Sequence, residues 1–198
     1  VAVVLMIEPD HLDVHADMEE YLAAKSHIVV HQSAKDIVIY HPTNPDTATV
    51  VAPAESRRVR YAIPDDGQVY VKENTFFVQN APICSVDTLQ IPGAFNHENA
   101  CAAISAALAA GASIDFVEAG LRDFHGLPHR LKFVRELNGI KYYDDSIATT
   151  PGSAIAALSA FDASKTIILG GSDKGADYRE VVMACRDANA TVVAIGQT

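Results

Sequence analysis

Apolar residues along this chain change their spacing from one segment to the next, and each spacing implies an element. Residues 1–7 form an unbroken apolar run of the kind carried by a strand buried on both faces. From residue 17 to 30 the apolar positions Met18, Tyr21, Leu22 and Ile28 recur at helical intervals. Between residues 36 and 90, short β-branched or aromatic runs around Ile37–Tyr40, 59–63 and 76–78 are separated by Pro, Asn, Asp and Gly, so this stretch is expected to be mostly β. Residues 96–110 have a polar start, an Ala-rich body and Gly111 placed to end a helix; Ser113 then stands as the N-cap of a second helix running to about Phe124.

Gly126-Leu127-Pro128 interrupts the helical pattern and marks a domain boundary near Gly126. Beyond it the expected order is strand (131–137), strand (140–144), helix (151–161), strand (166–169), helix (178–188) and strand (191–195). Alternation of this kind implies a parallel-type α/β sheet.

With 49% hydrophobic and 20% charged residues over 198 positions, the composition is that of a soluble globular protein with a sizeable core. A formal net charge of −10 opposes a phosphate backbone, so no nucleic-acid partner is expected. Cys84, Cys101 and Cys185 are odd in number and widely spaced, which suggests neither a disulfide framework nor a zinc site and fits a reducing, cytoplasmic compartment. No apolar run approaches the roughly 18 residues of a membrane span, and a monomer without membrane contact is expected. The chain opens inside an apolar run without an initiator Met and stops just after another, so it reads as an excerpt of a larger protein.

Three strand ends are followed by polar clusters: Glu8-Pro9-Asp10-His11, Asp144-Asp145-Ser146 and Gly170-Gly171-Ser172-Asp173-Lys174. Open α/β sheets collect ligands at the carboxyl ends of their strands, because loops converge there without disturbing the core. Asp10, His11, Asp13 and His15 read either as a metal site or as a solvated loop with helix-capping carboxylates. Lys25, alone on its helix, reads as a solvated charge. Asp144 and Asp145 suit a cation or a sugar hydroxyl, or else cap the following helix; Arg130 offers a planar fork to phosphate, or is a surface residue at a domain join. Gly170-Gly171 permits close backbone approach to a ligand and Lys174 a charge for an anion, though the pair also suits an ordinary turn.

Taken in order, these segments resemble the Mur ligase family. The resemblance is carried by Asp10-His11-Leu12-Asp13 with Tyr21-Leu22-Ala23-Ala24-Lys25, by Phe95-Asn96-His97-Glu98-Asn99-Ala100, by Gly126-Leu127-Pro128-His129-Arg130, by residues 144–151 (Asp-Asp-Ser-Ile-Ala-Thr-Thr-Pro) and by residues 170–177 (Gly-Gly-Ser-Asp-Lys-Gly-Ala-Asp). The last three motifs are closest to the branch that adds D-glutamate to UDP-N-acetylmuramoyl-L-alanine in peptidoglycan synthesis. The resemblance implies an α/β chain made of the end of a central ATPase domain (1–126) and the start of a Rossmann-like, amino-acid-binding domain (127–198).

Its implied chemistry is ATP- and magnesium-dependent: a carboxylate becomes an acyl phosphate, which an amine attacks to form an amide. It implies that His11 and a carbamylated Lys25 serve magnesium, a carbamate being a hard oxygen ligand. It also implies Asn99 and Asn96 at adenine, Arg130 at phosphate, Asp145 at ribose, and Thr149 and Lys174 at D-glutamate. Many members carry Lys where this chain has Ile147, so no role of that lysine carries over. A folylpolyglutamate synthase-like ligase and a non-catalytic module of the same fold are the alternatives. The family's Gly-rich loop ending in Lys-Thr or Lys-Ser does not occur in this chain. The purified 198-residue piece is therefore expected to release no phosphate from ATP; magnesium-dependent hydrolysis above a buffer blank would refute this.

Overall fold

The computed structural model describes residues 1–12, 14–64, 66–171 and 177–196, and these fall into two compact units, Val1–Gln90 with Asn96–Phe124, and Ile91–Phe95 with His125–Thr198.

The first unit is built on three parallel strands in the order β1 (Ala2–Val4), β2 (Ile37–Tyr40) and β3 (Arg57–Arg60). Helix α1 (Met18–Ser26) follows β1 and α2 (Pro45–Val51) follows β2. Ala2, Val4, Ile7, Val29 and Val38 meet Tyr21 of α1 and Val50 and Val51 of α2 in one core. Each fully buried Val contributes about 1.5–3 kcal/mol of transfer free energy, which makes β1 and β2 the anchor of the unit. The Asp17 carboxylate accepts the Glu20 N–H at the start of α1, while Glu20 reaches back to the Ala16 N–H at 2.7 Å. Two otherwise unpaired N–H groups are thereby satisfied.

The expectation of a mostly β stretch between residues 36 and 90 needs one correction, because α2 lies within it. Its signal was local: Asn44 accepts the Thr47 N–H as N-cap, and Pro45 takes the first helical position, where its missing N–H costs nothing. Besides the parallel β2 and β3, the stretch holds an antiparallel meander, β4 (Val69–Lys72), β5 (Thr75–Val78) and β6 (Ala81–Ser85), with Tyr70 and Phe76 buried, and a 3₁₀ turn at Val86–Thr88. Helix α3 (Phe95–Ala109) buries Ala100, Cys101, Ala102, Ile104 and Ser105. Ser113 caps a single 3₁₀ turn, Ile114–Phe116, which leads into α4 (Val117–Asp123).

In the second unit β7 (Lys132–Leu137) and β8 (Ile140–Asp144) pair as an antiparallel hairpin, so the parallel arrangement expected after residue 126 holds only for β9 (Thr166–Gly171) and β10 (Thr191–Gly196). The two-residue connection Asn138-Gly139, with both residues at positive φ, is the turn that joins antiparallel neighbours. Helices α5 (Pro151–Ser159) and α6 (Arg179–Asp187) place Leu158, Val181 and Cys185 over β9. Thr150 caps α5 by accepting the Ser153 N–H.

Gly170 is at φ +138°, opposite Ile195 in the β9–β10 ladder, and a Cβ there would lie 1.8 Å from the Ile195 carbonyl oxygen. The close backbone approach foreseen for this glycine is thus to a neighbouring strand. Gly171 shares the left-handed conformation, but its Cβ would meet nothing within 4 Å. Gly170→Ala is expected to cost about 2 kcal/mol or more in urea unfolding, and Gly171→Ala distinctly less; equal losses would exclude the β10 contact as the cause.

Candidate functional site

The carboxyl ends of β1 and β2 converge in the first unit, and side chains hold the two exits together. The Asn44 side chain accepts the Ile7 N–H at 3.4 Å and donates to the Ile7 carbonyl at 3.0 Å, while the Thr47 hydroxyl donates to the Leu5 carbonyl at 2.9 Å. Asn44 stands in for a neighbouring strand, because the backbone of a departing buried strand still needs its hydrogen bonds. Beyond this clamp the chain turns outward. His11, at φ +56°, is exposed, with Nε2 3.4 Å from the Asp10 carboxylate that also accepts its N–H.

Lys25 projects from the last turn of α1 with its ammonium 5.1 Å above the Tyr21 ring, and His15 lies 5.4 Å from the same ring. Among the described residues no three His, Cys, Asp or Glu side chains gather as metal ligands, and no hydrogen bond or ion pair joins His11 to Lys25. Asp13 lies outside the described residues.

His41 was not singled out in the sequence. It follows β2 directly, is 4% exposed, and bonds through Nδ1 with the Thr43 hydroxyl at 3.0 Å. Its Nε2 lies 3.6 Å from the Glu98 carboxylate, and its ring meets Tyr61 edge-on at 5.2 Å. Burial, and after it the Glu98 charge, pushes the Tyr61 phenol well above its ordinary value. His41 thus connects the end of β2 to the first turn of α3, where the Asn99 amide donates to Asn96 at 3.2 Å. The available signal for His41 was its place at the carboxyl end of a strand.

A second set of bonds lies in the second unit, between residues 129–131 and 144–147. His129 Nδ1 is 2.7 Å from Asp144 Oδ2, the Leu131 N–H donates to Asp145 Oδ1 at 3.0 Å, and the Ile147 N–H donates to the His129 carbonyl at 3.3 Å. Neither aspartate caps α5, a role that belongs to Thr150; Asp144 instead accepts the Ser146 N–H and Asp145 reaches back to Leu131. Arg130 is exposed between His129 and Leu131, and Thr149 is exposed just before the cap of α5. Lys174 lies outside the described residues. The structure therefore brings Asn96 to Asn99, and Arg130 and Asp145 onto one set of bonded loops.

Parallel strands with helical crossovers define an α/β protein, with polar groups gathered at the strand ends where open sheets of this kind collect ligands. Comparison with known proteins narrows this. The model of the Mur ligase middle domain matches residues 1–107, and that of the Mur ligase glutamate ligase domain matches residues 129–198. The chain belongs to the Mur ligase family.

It is 36% identical, over all of its length, to 45% of the UDP-N-acetylmuramoylalanine--D-glutamate ligase of Symbiobacterium thermophilum. It is 35% identical to 44% of the protein of the same name from Caldanaerobacter subterraneus. The chain thus spans less than half the length of these relatives. Among solved structures, MurF from Acinetobacter baumannii matches 98% of the chain with 47% of its own, at a TM-score of 0.77 and 22% identity. Folylpolyglutamate synthetase from Lactobacillus casei matches all of the chain with 58% of its own, at 0.60 and 17%. At such identities the structural likeness speaks for the fold.

Hydrogen bonds from Ser146 and then His129 hold the Asp144 carboxyl below its ordinary value. A carboxyl lowered in the folded state adds stability that is complete above its unfolded value, near 3.9, and is lost as pH falls through the folded value. Asp144 should therefore titrate below the ordinary aspartates in a carboxyl NMR titration and move upward in His129→Ala; an unmoved Asp144 would show that His129 contributes nothing to it.

Proposed function

We propose that this chain is part of an ATP-dependent ligase that joins D-glutamate to UDP-N-acetylmuramoyl-L-alanine through an acyl phosphate, in the cytoplasm. The observation that carries the reading is that relatives bearing this activity as their name match the whole chain at 36% and 35% identity. Residues 1–126 are read as the end of the central ATP-binding domain and 127–198 as the start of the amino-acid-binding domain. The division of the chain into two compact units, which apart from Ile91–Phe95 falls between Phe124 and His125, supports this.

In this reading Asn96 and Asn99 face the adenine, since an amide offers the donor and acceptor pair that an adenine edge requires. Arg130 takes phosphate with its planar fork. Asp145 has one oxygen engaged by the Leu131 N–H, which leaves the other to accept a ribose hydroxyl. Thr149 and Lys174 take the D-glutamate.

The donors suit magnesium in a particular way. Among the described residues no three-ligand cage is built from His, Cys, Asp and Glu. His11 and a carbamate on the exposed Lys25 make a two-ligand set, and magnesium commonly completes its shell with phosphate oxygens and water. When bound, the nucleotide supplies the phosphoryl group that activates a substrate carboxylate. The chain's own task is placement and charge compensation, which dominate phosphoryl transfer.

The test is phosphate release by the full-length ligase that contains this chain, with UDP-N-acetylmuramoyl-L-alanine and, in turn, D-glutamate, L-alanine and a diamino acid. Turnover is expected with D-glutamate alone. Lys25→Ala should lower it about 100-fold or more, with recovery on adding a short-chain carboxylate. Turnover with another amino acid, or with a folate substrate instead, would overturn the substrate assignment.

A further inference from the structure

We infer that His129 and Asp144 are positioning residues for nucleotide binding, clasping the loop that carries Arg130 to the strand end that carries Asp145. The inference rests on the nucleotide reading of Arg130 and Asp145 given above, and adds two residues that hold them in place.

Arg130 is flanked on both sides by residues in the left-handed backbone region, His129 at φ +63° and Leu131 at φ +41°. Side chains other than Gly and Asn avoid this region, so such a loop keeps its shape only where bonds impose it. Here both neighbours of Arg130 are tied: His129 through its ring to Asp144 Oδ2 and through its carbonyl to the Ile147 N–H, and Leu131 through its N–H to Asp145 Oδ1. The bonds join segments 14 and 15 residues apart in sequence, which local turn geometry alone does not bring together. The backbone at Arg130 is thus held on both sides, and Asp145 keeps one oxygen fixed while the other remains an acceptor. An ion pair as exposed as His129 and Asp144 adds little to global stability. Its contribution is therefore to placement.

Asp144 is suited to this task as a carboxylate. One oxygen faces the imidazole and the other accepts the Ser146 N–H. A carboxylate accepts from the imidazole whether that ring is neutral or protonated. An amide in the same place, with its single oxygen on Ser146, would turn its NH₂ toward His129. A neutral ring can accept from that NH₂, whereas an imidazolium has no lone pair to do so. The other charged groups at the clasp are Asp145 at the end of β8 and Arg130 and Lys132 on the loop side, and Lys132 donates to the His125 carbonyl.

The experiment measures magnesium-ATP affinity by titration calorimetry, with thermal melting alongside, on the full-length ligase and its Asp144→Asn and His129→Ala variants between pH 5.5 and 8. Asp144→Asn should bind nearly as well as the parent at pH 8 and about tenfold more weakly at pH 5.5, the size of effect that one lost hydrogen bond produces. His129→Ala should bind more weakly at every pH. An affinity ratio for Asp144→Asn that does not change with pH, or variants that melt earlier yet bind nucleotide like the parent, would overturn the inference. Flat ratios in a ligase that still consumes D-glutamate reject the clasp alone. The predicted pH dependence in a protein that binds nucleotide but joins no D-glutamate upholds the clasp and rejects the ligase reading.

Discussion

A strand that leaves a buried sheet still carries N–H and C=O groups that need partners, and the arrangement of this chain follows from how that need is met. In the first unit Asn44 supplies both partners for Ile7, and Thr47 supplies one for Leu5. Both belong to the start of α2, so the helix that covers the core also closes the exit of β1. In the second unit, where β7 and β8 form a largely exposed hairpin, Asp145 just after β8 supplies the partner for the Leu131 N–H before β7. In both places a short polar side chain takes the role of a missing strand, and the residues beyond it are released toward solvent. His11 follows the first such closure, and Arg130 precedes the second.

The electrostatics follow the same division. Where the chain is buried, polar groups are paired: His41 lies between Thr43 and Glu98, and the Cys101 thiol is pushed up to about 12, chiefly by burial and then by the Glu98 charge, which leaves it a small apolar group in the core. Where the chain is exposed, charges remain available: Lys25 over Tyr21, and Arg130 beside the clasp. With a net charge of −10 the overall field of the chain is unfavourable to anions, so any anion site on it would depend on such local cations.

Much of the architecture is legible in the sequence, for identifiable reasons. Ile37–Tyr40 and Ile140–Asp144 are runs whose ends are marked by turn formers, and their bounds agree with the expected ones. Helix α3 announced itself through its Ala-rich body and Gly111. Helix α2 carries no periodic signal because seven residues hold too few turns for one to register, and only the Asn44-Pro45 start marks it. The candidate site residues rest on motifs, which identify side chains but not their partners. Hence the bonding of Asp144 to His129 rather than to the following helix, and the presence of His41 beside Glu98, had no signal at short range.

The sequence by itself determined what local forces decide: where most strands and the longer helices fall, that a core is affordable at this length, and which family the motifs resemble. Those properties depend on spacing and on side chains a few residues apart. Only the tertiary structure decided which strands pair and in which direction, why Gly170 must be glycine, and which distant side chains satisfy the backbone at the strand ends. These outcomes depend on contacts between residues far apart in the chain, such as Ile7 with Asn44 and Leu131 with Asp145, which exist only once the core has brought their segments together.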